Sequence, residues 1–222
     1  MTSDLQNRVA LYIKNIVTDG YMLTDLQQMT DLPVVPNQYG NCNFPIAMFI
    51  FSCMEFLGSL VSETPIPNRA GATRDRIWAY IELTFENRIQ EFQQHRATFI
   101  DIFRHGLMHE FFAKNAGISR HHTELFGISQ EGKLVLDADQ FHQIFRDSCN
   151  RLKSLMDSSE ELTQRIADRY LALQRYNFNE FPSGVLSQST TYTRASGATG
   201  PSGPISFTTT ATPSFPPDEA DS

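Results

Sequence analysis

Apolar residues recur at helical spacing along most of the chain. From Asp4 to about Asp19 they place Leu5, Val9, Tyr12, Ile13, Ile16 and Val17 on one face, with Ser3 or Asp4 as cap, and predict an amphipathic first helix. Beyond Gly20 a second, short helical piece holds Leu23, Leu26 and Met29, until Pro33 and Pro36 open a loop that runs to Asn43. Phe44 to Val61 is apolar nearly all round, with Pro45 suited to its first turn, the pattern of a helix at the centre of a bundle. It is about long enough to cross a membrane, but Ser52, Glu55 and Ser59 interrupt it on one shared face, so it reads as a buried core helix.

Pro65, Pro67 and Gly71 mark the next loop. Thr73 is placed to cap a long helical tract with Asp75 and Arg76 in its first turn and Ile77, Ile81, Phe85, Ile89 and Phe92 as its stripe. The pattern resumes through Phe99, Ile102, Phe103 and Leu107 to about Lys114, with a break near Gln94-His95, and Gly117 ends the tract. Between Ile118 and Leu136 the helical period is lost. Short segments around Glu131-Gly132, with Lys133 to Leu136 as the clearest strand, predict a small peripheral β-hairpin. Asp137 and Gln140 have the spacing of a capping box and open a last long helix through Phe141, Ile144, Phe145, Leu152, Leu155, Leu162, Ile166 and Leu171, kinked or divided at Asp157-Ser158-Ser159. Helices against a single hairpin, with no strand and helix alternation, no Gly-rich phosphate loop and no G-x-S-x-G elbow, predict a mainly α fold, a helical bundle.

Composition divides the chain at Pro182. Ser183 to Ser222 is rich in Ser, Thr, Gly, Pro and Ala and has too few large apolar residues to offset the entropy of ordering, so a disordered tail is expected after a helical domain over 1–182. The tail carries Arg194 against Asp218, Glu219 and Asp221, a net of −2, which leaves −5 of the total −7 on the domain. That balance excludes a broad basic surface coating nucleic acid or acidic membranes, though not a local cationic site. Cys42, Cys53 and Cys149 are odd in number and form no C-x-x-C pair, so neither a disulfide framework nor a zinc ribbon is written here. Met1 to Leu5 lacks the positive and apolar regions of a secretory signal, and a cytoplasmic protein with no membrane partner is expected.

The densest chemistry lies between Asp101 and Glu110. Arg104, His105 and His109 fall within six positions, and the carboxylates Asp101 and Glu110 stand by to support them. Arginine holds a phosphate bidentately and histidine exchanges a proton near neutral pH, the two needs of phosphodiester cleavage. The pairing suits RNA, whose 2′-hydroxyl can attack its own phosphate without a metal or other cofactor. On a regular α-helix, however, five positions put Arg104 and His109 roughly 140° apart, so a break or a partner subunit would be required to aim both at one phosphate.

Arg104-His105-Gly106-Leu107-Met108-His109 resembles the R-[N/D/H]-x-x-x-H motif of the HEPN (higher eukaryotes and prokaryotes nucleotide-binding) superfamily, helical proteins that include RNA-cleaving toxins and defence nucleases. The resemblance covers about 4–176 as architecture and six residues as motif. It implies a HEPN-like bundle whose Arg104 stabilises the scissile phosphate, whose His109 is general base or acid, and whose His105 orients them. It further implies a metal-independent endoribonuclease, a homodimer with two motifs facing each other, a toxin or defence setting, and an antitoxin or inhibitor protein as a partner. By helix order Glu55 corresponds to the acidic residue such proteins place near the motif arginine. In one toxin subgroup the motif continues to a tyrosine that an antitoxin modifies, whereas His109-Glu110-Phe111 stands here, which puts that mode of silencing in doubt.

Rival readings remain at this point. His105 and His109 are spaced to share a metal, but no third ligand matches and Ala113 breaks the H-E-x-x-H pattern, so no metal is expected. Lys114, Arg120, His121 and His122 are candidates for a cationic RNA-binding rim, or simply for a solvated loop. A non-catalytic HEPN-like module binding a nucleotide, RNA or protein is the alternative function, and a helical adaptor whose Arg104 and His109 only support packing is the third.

Overall fold

A computed structural model describes residues 4–35, 40–110, 113–120 and 123–178. All of them fall in one compact unit, Met1–Phe181; the tail expected over 183–222 lies outside the described residues. The fold is mainly α with a small sheet.

The N-terminal segment is one continuous helical rod rather than two pieces. Helix α1 (Asp4–Tyr12) passes into a π-helix, π1 (Ile13–Leu23), and then into α2 (Thr24–Thr30), so Gly20 does not end a helix. The wider turn is supported from within: the Thr18 hydroxyl donates to the Ile13 carbonyl at 2.9 Å and the Thr24 hydroxyl to the Asp19 carbonyl at 2.8 Å, each five residues back.

Helix α3 (Asn43–Val61) is the core helix its pattern predicts, burying Ile46, Ile50, Phe51, Met54, Leu57 and Leu60. It is long and apolar enough to cross a membrane by length and composition, yet most of it is buried inside the fold. Helix α4 (Ala72–Thr84) crosses it closely at Gly58, where a Cβ would lie 1.9 Å from the Arg76 carbonyl oxygen. The residue before α4 is Gly71, at φ 82°, and Thr73 is not the cap: its hydroxyl turns to Glu55 of α3 instead.

The long tract after Thr73 is broken twice. A 3₁₀ turn (Glu86–Arg88) follows Phe85, and a second break comes at His95 (φ −111°, ψ 16°), in the neighbourhood expected for one. The pieces are α5 (Ile89–Gln94), α6 (Arg96–Phe99) and a second π-helix, π2 (Ile100–Glu110). They deliver Phe92, Phe99 and Phe103 to an aromatic cluster with Phe51 and Phe141, in which the Phe51 and Phe99 rings lie 5.0 Å apart and those of Phe92 and Phe99 5.1 Å. Each such ring removed from water stabilises the fold by about 1.5–3 kcal/mol.

The expected hairpin is present within a larger sheet. Strand β1 (Gly117–Ser119) pairs parallel with β3 (Leu134–Asp137), which pairs antiparallel with β2 (Phe126–Ile128), giving the order β1-β3-β2. Gly117 therefore opens a strand. Nor is the sheet merely peripheral, because Ile118 and Leu136 are buried and the Phe126 ring packs on Phe92 and Phe99 at 5.7 and 5.8 Å. At the start of α7 (Ala138–Ser158) the Asp137 carboxylate accepts the Gln140 backbone N–H at 2.8 Å, as the capping-box spacing predicts. Extended backbone at Ser159 divides α7 from α8 (Glu160–Phe178), and the Ser159 hydroxyl caps the second helix through Leu162 N.

Candidate functional site

Ile100, Phe103, Gly106 and Leu107 turn one side of π2 into the core, leaving Asp101, Arg104, His105, Met108 and His109 on the outer side. In a π-helix the hydrogen bonds run between residues five apart, so such residues return to about the same face. Arg104 and His109, separated on an α-helix, are thereby brought one turn apart on one side of this one.

Arg104 is fixed from two directions. Its Nη2 donates to Glu55 Oε2 of α3 at 2.8 Å and its Nη1 lies 3.3 Å from His105 Nδ1, with only 14 % of the side chain exposed. Glu55 is itself held by α4: its Oε1 accepts the Thr73 hydroxyl at 2.7 Å and sits 3.6 Å from Arg76 Nη1. Arg76 in turn donates to the Ile66 carbonyl and to Asn68 Oδ1. One carboxylate thus serves two guanidiniums, and the cluster keeps a net positive charge in an acidic chain. A charge-assisted pair of this kind, once partly buried, fixes geometry more than it adds stability.

The neighbouring imidazoles differ in their surroundings. A guanidinium can only donate, so His105 Nδ1 must accept, and the neutral ring carries its proton on Nε2, on the side of Asp101 Oδ1 at 3.8 Å. Burial, and after it the Arg104 charge, push the His105 pKa below its usual range; His109 and Lys114 act in the same direction and Asp101 opposes them. His105 is therefore neutral at neutral pH. The His109 ring is exposed and stacks nearly parallel on it, 5.8 Å between centroids. The site presents, side by side, a held cation, a neutral imidazole that orients it, and an accessible imidazole.

The other expected residues divide. Lys114 is exposed and folds back on π2, its backbone N–H donating to the Ile102 carbonyl at 3.1 Å. Arg120 is not part of a rim. Its side chain is 4 % exposed, pairs with Asp139 at 2.9 Å, and donates to the carbonyls of Thr30, Leu32 and Asn41, so it ties the end of β1 to the segment that follows α2. The Glu110 side chain, His121 and His122 lie outside the described residues. Among the described residues no three His, Cys, Asp or Glu side chains converge as a metal site, and the three cysteines are free.

Thr73 and Arg76 are the site residues that the sequence pattern did not single out. The one signal for Arg76 was a cation near the start of a helix, where the macrodipole disfavours it unless a carboxylate from elsewhere compensates. No family model, curated protein or solved structure matches this chain.

Proposed function

We propose that the chain is a HEPN-like, metal-independent endoribonuclease. The observation that carries the reading is the placement of Arg104, locked by Glu55, beside a neutral His105 and an accessible His109 on one face of π2. Arg104 takes a non-bridging oxygen of the scissile phosphate and offsets the charge that builds there. His109 removes the proton from the adjacent ribose 2′-hydroxyl, and the 2′-oxygen attacks phosphorus. The bond from phosphorus to the 5′-oxygen breaks, that oxygen takes up a proton, and a 2′,3′-cyclic phosphate and a 5′-hydroxyl remain. One accessible imidazole cannot be base and acid in the same step, so His109 of a second copy supplies the proton, which makes the working unit a homodimer. A toxin or defence role acting on cytoplasmic RNA, restrained by an inhibitor protein, fits such an activity.

A second reading, a non-catalytic RNA- or nucleotide-binding module, has one observation in its favour: Glu55 already occupies Arg104 Nη2. A short oligoribonucleotide and a copy carrying 2′-deoxyribose at the cleaved position separate the two. The nuclease cuts the first, leaving a cyclic phosphate, and spares the second; binding of both without cleavage would establish the module instead.

A further inference from the structure

For Nη2 of Arg104 to reach a phosphate it must leave Glu55, and the partners of that carboxylate are divided in a way that permits this. Its Oε2 belongs to Arg104, at 2.8 Å. Its Oε1 belongs to α4, where it accepts the Thr73 hydroxyl at 2.7 Å and faces Arg76 Nη1 at 3.6 Å. Neither oxygen depends on the other's partners, so the α4 contacts remain when Arg104 goes.

The charges require that second set. The Glu55 side chain is only 21 % exposed, and a carboxylate so little hydrated is strongly disfavoured without a cation. Thr73 supplies a hydrogen bond but no charge. Arg76 supplies the charge, and among the described residues Glu55 is its one carboxylate partner. Its Nη2 donates to two neutral oxygens, the Ile66 carbonyl at 3.1 Å and Asn68 Oδ1 at 2.7 Å, and these fix the guanidinium without neutralising it. Its Nε–H is buried without an acceptor. The carboxylate next to it in sequence, Asp75, is taken by Arg69 at 2.7 Å, and Asp101 of π2 stands toward His105. At 3.6 Å, Nη1 is paired with Glu55 by charge but not hydrogen-bonded to it, so this contact can still tighten.

We propose that Arg76 is a positioning residue, which holds the charge of Glu55 from the α4 side and so lets Arg104 move from the carboxylate to the scissile phosphate. This role rests on the nuclease reading above. At rest Glu55 aims Arg104 from one direction and His105 Nδ1 from the other. When an anionic phosphate enters, Glu55 stays on Thr73 and Arg76, and Arg104 Nη2 turns to the phosphate. Arg76 never touches the substrate. The occupation of Nη2 by Glu55 is then a resting state of the nuclease and no longer favours a mere binding module.

The test is a double-mutant cycle on the full chain: Arg76→Gln, Glu55→Gln and both together, each checked by thermal unfolding, with kcat/KM read for a short oligoribonucleotide near neutral pH. Arg76→Gln is expected to lower kcat/KM about tenfold, because Glu55 then keeps Arg104, whereas Arg76→Lys retains the charge and loses less than about threefold. In the Glu55→Gln chain the amide needs no cation, so adding Arg76→Gln is expected to change kcat/KM by less than about twofold. Equal losses in the two backgrounds would make Arg76 a structural support of α4 and overturn the proposal, as would full activity of Arg76→Gln. If Arg76→Gln does not fold, Thr73→Val removes the hydrogen bond to the same oxygen and runs the same cycle, with an expected loss of about threefold that again disappears in Glu55→Gln. Fluorescence anisotropy of an oligoribonucleotide carrying 2′-deoxyribose at the cleaved position repeats the cycle on binding alone. Coupled losses of binding without any cleavage keep the role of Arg76 toward a bound phosphate and remove the nuclease. Cleavage with uncoupled losses does the reverse, and a chain that neither binds nor cleaves removes both.

Discussion

Replacing Gly58 with alanine puts a methyl group where α4 already is. The new Cβ would stand 1.9 Å from the Arg76 carbonyl oxygen and 2.5 Å from its carbonyl carbon, backbone atoms that cannot swing away like a side chain. An approach becomes tolerable only from about 3.0 Å, so α3 and α4 must part by more than 1 Å. That separation loosens the packing of both helices and draws Glu55 away from Thr73 and Arg76, its partners on α4. Overpacking at the crossing, together with the looser fit around it, costs about 3 kcal/mol, against which alanine's better helix propensity returns about 1 kcal/mol. The net is a destabilisation of about 2 kcal/mol, or a fall in Tm of about 4–8 °C for a domain of this size. Urea unfolding followed by circular dichroism measures it, with Gly20→Ala as the control. Gly20 is exposed, is also helical, and meets nothing closer than 3.5 Å, so alanine there is expected to be neutral or to stabilise by up to about 1 kcal/mol. A Gly58→Ala chain as stable as the parent would refute the close crossing and, with it, the route by which α4 supports Glu55.

Three further outcomes are expected. His142 is 6 % exposed, and burial, then Arg146, lower its pKa from 6.5 to about 4, with Arg120 adding to this and Asp139 and Asp31 opposing it. The unfolded chain therefore binds the proton more readily, so stability is full above about pH 6.5 and declines as pH falls toward 4, by about 1–2 kcal/mol at pH 5; denaturant midpoints at pH 7 and 5 should show this loss in the parent and a much smaller one in His142→Asn. Arg120→Ala removes the guanidinium that Asp139 meets at 2.9 Å and the donor to three carbonyls, and is expected to destabilise by about 3 kcal/mol while leaving the RNA affinity of the folded protein unchanged, read by unfolding and by anisotropy. Asp137→Ala removes the cap of α7 and should cost about 1 kcal/mol in the same unfolding assay.

Where periodicity and capping chemistry act locally, the fold was legible in the sequence. The core helix at Asn43–Val61, the cap at Asp137 and the division at Ser159 each follow from residues a few positions apart, whereas periodicity alone does not locate the break at His95. What escaped is set by hydrogen bonds or packing across the chain. Three apolar positions, Ile100, Phe103 and Leu107, are too few to tell a π-helix from an α-helix, so their spacing could not reveal that Arg104 and His109 share a face. Thr73 looked like a cap because its partner, Glu55, is eighteen residues away in another helix. Arg120 looked exposed because nothing near it in sequence announces Asp139 and the three carbonyls that enclose it. Arg104, His105 and His109 were legible as chemistry from residue type alone, and Glu55 only by helix order through the resemblance; Arg76 was not, since an arginine on a helix surface is ordinary until its partners are seen.

The most direct measurement is cleavage of a mixed RNA pool in EDTA by the parent chain and by Arg104→Ala and His109→Ala, each shown to be folded. Loss of an imidazole base or of a charge-stabilising cation lowers such rates by about 10²–10⁴-fold. The site geometry predicts EDTA-resistant cleavage by the parent, with fragments ending in a cyclic phosphate, and a fall of that size in both variants. No cleavage by the parent, or equal cleavage by all three proteins, would contradict it.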